Sequence, residues 1–401
     1  MRRGSTGTHE VTAVGGETAR AFIPHPLPPQ PALDLAGPAQ PLLERALLAL
    51  GRLDSISALL PDTDLFLYSY VRKEAVLSSQ IEGTQSSLSD LLLFEMEQAP
   101  GVPLDDVLEV SGYVSALEHG IARLRGGFPL SSRLIREVHA KLLARGRGRD
   151  KAPGEFRRSQ NWIGGTRLGN AVFVPPPHVA VAGCVSDLER FVHDDRDDLP
   201  VLVKAALAHL QFETIHPFLD GNGRVGRLLI TLILCNAGVL SEPLLYLSLY
   251  FKENRAEYYR LLDAVRRDGD WEAWVEFFLR GVEQTAGSAV ATTRRLVEIF
   301  SADRELIEQQ GRRAGSALRV CAALRSRPLL TLRVAAQRTG LSFPGASDGM
   351  KLLEELGIVR ELTGKKRNRA FAYDRYLAML AEGTEERKWR ERRGSNPRPP
   401  A

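Results

Sequence analysis

Two apolar runs between Val201 and Leu240, "VLVKAALAHLQFETI" and "RLLITLILCNAGVL", are joined by the polar, glycine-containing stretch "HPFLDGNGRVG". Apolar residues recurring every three to four positions predict a helix on each side of that joint. Pro217 stops the first helix, because it lacks an amide hydrogen and its ring clashes with the preceding turn. The second helix then begins near Asn222. Helices this apolar have to be covered by others, so the pair predicts a mainly α fold with the polar joint at the rim of its core. The longest apolar stretch, Leu228 to Leu240, is interrupted by Thr231 and Asn236. It is too short and too mixed to span a bilayer, and no signal-peptide pattern opens the chain, so no membrane partner is expected.

At 401 residues, 44% of them hydrophobic, the chain has enough material for two or three domains with cores of their own. Its three cysteines, Cys184, Cys235 and Cys321, are far apart and form no CxxC pair. That argues against a disulfide framework and a zinc site, and makes the cytoplasm the expected location.

The pattern divides the chain into six regions. Residues 1–40 are rich in Gly and Pro without a sustained period and read as an arm that wraps something or stays loose. Residues 41–125 read as a helical region, with amphipathic runs at 41–60 and 65–79 and a further helix at 108–124. Residues 126–285 contain the helix pair and predicted helices at 131–144 and 179–193. Within them, "NWIGGTRLGNAVFVPPP" (161–177) predicts a small exposed β-hairpin. Residues 286–314 read as a linker helix, and 379–401 as a disordered tail. Residues 315–378 read as a helix, a helix-turn-helix-like pair and a basic turn running into "AFAYD", which suits a winged helix. The net charge of +4 is unevenly placed: from Ser301 onward 21 Lys+Arg face 12 Asp+Glu, which leaves 32 against 37 before it.

The joint itself points to phosphate chemistry. A helix start offers unpaired N–H groups and partial positive charge, and Gly221 and Gly223 remove the Cβ atoms that would hold an anion away. Arg224 and Arg227 share a face of the first turn, where guanidinium groups reach further phosphate oxygens. Asp220 offers a hard oxygen to Mg²⁺. His216, on the loop side, titrates near neutrality and can take a proton from an attacking hydroxyl. A calcium loop starting at Asp220 is excluded by its own spacing, since position twelve is Thr231 rather than a Glu.

His216, Phe218, Asp220, Gly221, Asn222, Gly223, Arg224 and Arg227 match at every defining position the HxFx[D/E]GNGRxxR signature of the Fic family, which the chain resembles over roughly residues 20 to 375. The resemblance implies a Fic-type helical core with a β-hairpin flap, transferring AMP from ATP to a Tyr, Thr or Ser hydroxyl of a target protein. It makes His216 the general base, Asp220 the Mg²⁺ ligand, the Gly221 to Arg224 turn (with Asn222 and Gly223) the anion hole, and Arg227 the grip on the γ-phosphate. Gly223 stands where phosphorylating relatives carry Lys, which favours nucleotide transfer. The 161–177 stretch resembles the flap that registers the target chain by strand addition, with Phe173, Val174 and Pro175 nearest the nucleotide. "NRAEYYRLLDAVRRDGDWEAW" resembles the helix that closes over adenine, making Tyr258 or Tyr259, and Arg266, candidates.

"LSSQIEGTQSS" (77–87) resembles the [S/T]xxxE[G/N] inhibitory motif of related proteins, with Ser78, Glu82 and Gly83 at its fixed positions. A carboxylate paired with Arg227 would occupy the guanidinium that the γ-phosphate needs and repel that phosphate. Release would follow target binding, a change of homodimer state or self-modification. The same carboxylate, by orienting a water, would alternatively support removal of AMP. The basic winged-helix candidate, with Lys365, Lys366, Arg367 and Arg369 on its wing, leaves two further readings open: DNA binding, making the chain a regulator, or protein docking.

Overall fold

The structure is a computed structural model that describes residues 3–59, 63–96, 103–194, 199–364 and 368–384. The chain opens with an antiparallel hairpin, β1 (Gly7–Val14) and β2 (Glu17–Pro24), registered with Gly7 opposite Pro24 and Val14 opposite Glu17. Gly15 and Gly16 make its two-residue turn, both with the positive φ that the tight type I′ turn requires. Of the two readings of residues 1–40, an arm that wraps something or one that stays loose, the hairpin fits the first for residues 7–24. It escapes notice because short polar and small residues alternate there with few large apolar ones. Arg3 anchors its start, pairing with Glu272 at 2.6 Å.

Eleven helices follow among the described residues: α1 (Ala39–Leu59), α2 (Thr63–Ile81), α3 (Leu88–Glu95), α4 (Leu104–Arg125), α5 (Ser132–Leu142), α6 (His178–His193), α7 (Val201–Ile215), α8 (Asn222–Asn236), α9 (Ser248–Glu253), α10 (Arg255–Asp268) and α11 (Trp271–Glu308). Helices α7 and α8 pack together at the centre, with every residue from Ala205 to Ile215 and from Arg224 to Leu234 buried. Helices α4 and α5 lie against α8, α6 and α10 against α7, and α2 reaches α8 from the N-terminal side. Trp274 of α11 donates its indole N–H to the Ala206 carbonyl at 2.9 Å and belongs to an aromatic cluster with Phe251, Tyr258, Phe277 and Phe278. The stretch expected as a separate linker helix is continuous with this core, because α11 runs unbroken from Trp271 to Glu308 and lies along α1.

The C-terminal region consists of α12 (Ala314–Ser326), β3 (Leu329–Thr331), α13 (Leu332–Thr339), α14 (Phe343–Glu355), β4 (Val359–Glu361), β5 (Ala370–Tyr373) and α15 (Asp374–Ala381), with an antiparallel sheet ordered β3-β5-β4. Thr331 and Ser342 cap α13 and α14 by accepting the amides of Val334 and Gly345. Helix α15 and the turn after it lie on α2. Ser69 and Tyr376 hydroxyls meet at 3.0 Å, and Gln80 Nε2 donates to the Thr384 carbonyl at 2.8 Å. Lys252 joins them, donating to Gln80 Oε1 at 2.6 Å and to the Gly383 carbonyl at 3.0 Å.

The hairpin expected at 161–177 is reduced to a single bridge, Ile163 with Phe173, around a short helical turn at Leu168–Asn170. The wing residues Lys365, Lys366 and Arg367 and the tail beyond Thr384 lie outside the described residues. No helix among the described residues is long and apolar enough to cross a membrane.

Candidate functional site

The joint between α7 and α8 is braced from beneath. Asn222, the first residue of α8, accepts the Phe218 amide at 2.8 Å and returns its own amide to the Phe218 carbonyl at 2.9 Å. The Phe218 ring is fully buried and stacks on His139, with centroids 3.7 Å apart and planes within 6°. The Gly154 amide donates to His139 Nδ1 at 2.8 Å, so the ring's remaining N–H, on Nε2, donates to the Asp220 carbonyl at 3.1 Å. Burial lowers the His139 pKa to about 4, which keeps it neutral in that role.

His216 caps α7 in the left-handed region, with φ 49° and ψ 59°. That conformation is rare for a residue with a side chain and needs support from its surroundings. Burial, then the charges of Arg157 and Arg266, lower its pKa to about 4. The imidazole is thus neutral around pH 7 and able to accept a proton.

Glu82 sits on the start of α8. A Cβ at Gly223 would lie 2.2 Å from Glu82 Oε1, so only glycine lets the carboxylate come this close. The same oxygen accepts from Arg227 Nη2 at 2.6 Å. Arg227, itself buried, also donates through Nε to the Ser78 hydroxyl at 2.8 Å and through Nη2 to the Ser78 carbonyl at 3.0 Å. Burial alone would raise the Glu82 pKa, but the charge and hydrogen bond of Arg227, helped by Arg224, outweigh it and hold the carboxyl below its usual range. Gly83, at φ 98°, turns the chain away after α2. Ser78, Glu82, Gly223 and Arg227 therefore form one contact set. Arg224 is engaged as well, by Glu109 at 3.2 Å and more distantly by Asp220 at 3.5 Å, while Arg147 holds the other side of Glu109.

Asp220 keeps a partly exposed carboxylate whose Oδ1 accepts the Gly221 amide at 2.6 Å. Its Oδ2 faces Gly148, where a Cβ would lie 2.7 Å away. One open carboxylate beside a helix N-terminus suits Mg²⁺, which takes few protein ligands and shares substrate phosphates.

The two tyrosine candidates are placed differently. Tyr258 is 1% exposed and its hydroxyl meets His209 Nε2 at 2.9 Å, so it fills the core and does not line the opening. Tyr259, next on the same helix, is 43% exposed and close enough to feel the charges of Glu82 and Arg227. Arg266 stacks over Phe173 at 3.9 Å and donates to Thr214 Oγ1 at 3.2 Å. In the flap, Val174 is buried with Ala21 and Leu168, and its carbonyl accepts the Phe22 amide of β2 at 2.8 Å. That carbonyl is thus occupied by the protein's own hairpin. The Pro175 carbonyl accepts Gln160 Nε2 at 3.0 Å. Sequence reading missed His139, Glu109, Glu213 and Arg157, which are single residues without a motif of their own and reach the site only through folding.

Residues 40–122 match the Fic/DOC family N-terminal region, and residues 129–234 match the Fic/DOC family. The chain carries a Fic domain, preceded by that family's N-terminal region. Protein adenylyltransferase Fic of Drosophila sechellia and of Drosophila melanogaster are each 30% identical to it over 208 residues, 51% of this chain and 39% of theirs. The chain thus spans about two fifths of the length of the curated relatives it matches. A Fic family protein from Desulfovibrio desulfuricans G20 superimposes with a TM-score of 0.54 at 19% identity, covering 86% of this chain and 98% of that one. A Fic domain containing signaling protein from Bacteroides thetaiotaomicron gives 0.50 at 19%, covering 62% and 95%. These two likenesses are of fold.

Proposed function

We propose that this Fic chain is a protein adenylyltransferase held in a restrained state by its own α2. The observation that supports it most is Glu82, whose single oxygen both rests on Gly223 and pairs with Arg227. ATP phosphates placed on the start of α8 need that space and that guanidinium. A carboxylate there excludes them by volume and by charge.

With Glu82 displaced, the phosphates lie along Gly221, Asn222, Gly223 and Arg224, with Arg227 on the γ-phosphate. Neutral His216 takes the proton of the target's hydroxyl as its oxygen bonds to the α-phosphorus. The bond to the β-phosphate oxygen breaks, and pyrophosphate leaves. Asp220 would hold Mg²⁺, which supplies neutralisation of phosphate charge. The flap, from Phe173 to Pro175, and Tyr259 flank the entry. Removal of AMP by a Glu82-oriented water is the alternative on the same residues.

For the C-terminal region, docking is favoured over DNA binding. Its strand and helix order fits a winged helix, but α14, the helix such a domain would lay in the major groove, exposes Asp348, Glu354 and Glu355 beside Lys351. Its far end already lies on α2.

Intact-protein mass spectrometry after incubation with ATP and Mg²⁺ tests the proposal on wild type, Glu82→Gly, and Glu82→Gly with His216→Ala. The expected result is a mass gain of one AMP that is larger in Glu82→Gly than in wild type and absent with His216→Ala. Equal gain in wild type and Glu82→Gly would remove the restraint, and gain without His216 would remove the base.

A further inference from the structure

We propose that Arg157 is a positioning residue that sets the register between the flap and His216, so that an acceptor hydroxyl carried by the flap arrives at the base. The proposal rests on the reading of His216 as that base. Arg157 lies just before the flap and is 3% exposed. Its Nε donates to the His216 carbonyl at 3.0 Å, its Nη2 approaches the Ile215 carbonyl at 3.5 Å, and its backbone amide donates to the Pro217 carbonyl at 2.9 Å. Three successive carbonyls around the base are thus held by one residue. The other donors hold the approach to the flap and its far leg: Nη1 to the Ser159 carbonyl, just before the flap, at 3.2 Å and Nη2 to the Pro176 carbonyl, within it, at 2.5 Å.

This bracket acts where the backbone needs it, since His216 has a positive φ that its own sequence does not favour. The planar fork of a guanidinium, with five donors in fixed directions, serves the four carbonyls of Ile215, His216, Ser159 and Pro176 at once. A lysine ammonium, with three donors, has too few for all four. Among the described residues no carboxylate pairs with Arg157, and burial lowers its pKa to about 10. An unpaired buried cation is a costly way to join two loops. The cost is explained if the charge also acts on its neighbour. The charged groups acting on His216 are Arg157 and Arg266, which oppose its protonation, and Glu82, which favours it.

Arg157→Lys and Arg157→Gln in the full chain test the proposal. In the Glu82→Gly background, Arg157→Lys is expected to lower the rate of AMP incorporation roughly 10- to 100-fold while the half-saturating ATP concentration stays within about twofold, the signature of a misplaced base with intact nucleotide binding. NMR titration of the His216 ring, with Glu82 present, gives a readout independent of activity. Arg157→Gln, which removes the charge, should raise the His216 pKa by about one unit or more, and Arg157→Lys should leave it in place. A full rate in Arg157→Lys, ATP saturation lost in step with rate, or an unmoved His216 titration in Arg157→Gln would each overturn it. If Glu82→Gly itself incorporates no AMP, the proposed function fails, and the titration still decides the role of Arg157. Should Arg157→Gln not fold, the Arg157→Lys split between rate and saturation decides.

Discussion

At the scale of single residues, Arg227 organises three carboxyls that differ in charge, two buried and one, Glu82, partly exposed. Glu82 is ionised against it, whereas burial raises Glu74 and Glu213 to about 7. Glu74 is satisfied by Ser248 and Tyr113, but Glu213 Oε1 has no hydrogen-bond partner among the described residues. The unfolded chain loses the Glu213 proton near its ordinary value of about 4.3, and the folded chain keeps it to about 7. Between those values the folded state binds more protons, so stability falls as pH rises. Glu213→Gln should remove up to about 1.4 kcal/mol per pH unit of that slope, read from calorimetric melting between pH 5 and 8. An unchanged slope would show that Glu213 is not the group responsible. Glu82 also permits its two effects to be separated. Glu82→Gln keeps an amide over Gly223 without negative charge, so its AMP incorporation should fall between wild type and Glu82→Gly. Incorporation equal to that of the glycine variant would mean that volume contributes nothing.

At the scale of elements, α2, which leads into the proposed restraint at Glu82, is itself held from two sides. Arg227 grips its C-terminal end, while α15 and the following turn grip Ser69 and Gln80, the latter two residues before Glu82. Gln80→Ala breaks the bonds to the Ser86 carbonyl, Thr384 and Lys252 without touching the phosphate site. It should raise AMP incorporation in the wild-type background several-fold, for a loss of about 1 kcal/mol in the hold on α2, and add nothing to Glu82→Gly. Rate measurements on the two single variants and the double variant decide this, and an additive gain would place Gln80 outside the restraint. The N-terminal hairpin plays a comparable part for the flap, through the Phe22 to Val174 bond and the contacts of Glu17 with Arg167 and Gly169. Removal of residues 1–24 should speed hydrogen exchange at the Val172 and Phe173 amides, and unaltered exchange would mean the flap holds itself. The helices around this hairpin were legible in sequence because their apolar periods are long. The hairpin was not, because its β1 face is largely exposed and carries little apolar signal.

At the scale of the whole molecule, α11 joins the Fic core to the C-terminal region, extending about 57 Å at 1.5 Å per residue over its 38 residues. Tyr373 and Arg375 both reach Asp303 near its end, and α15 returns the chain to α2. Among the described residues of the basic C-terminal region, Arg313 pairs with Glu355, Arg360 with Asp374 and Arg369 with Glu354, and α14 exposes three carboxylates. The full chain should therefore show no tight, steeply salt-dependent binding to duplex DNA. Fluorescence anisotropy between 50 and 200 mM salt checks this, and a loss of affinity of about a thousandfold over that range, as six or more phosphate contacts would give, would reverse the docking reading.

The sequence by itself determined the α7–turn–α8 unit and the chemistry of its joint. Pro217, the glycines and the charged residues are close in the chain, and local geometry fixes their relation. Only the tertiary structure decided what stands over that joint. Glu82 against Arg227, across 145 residues, was expected from the motif resemblance and not from any spacing rule, whereas Arg157 against His216, across 59, is a contact that packing alone sets. It also decided between Tyr258 and Tyr259, since one step along a helix turns a side chain by about 100°. The packing of α10 places the first ring in the core and leaves the second at the opening.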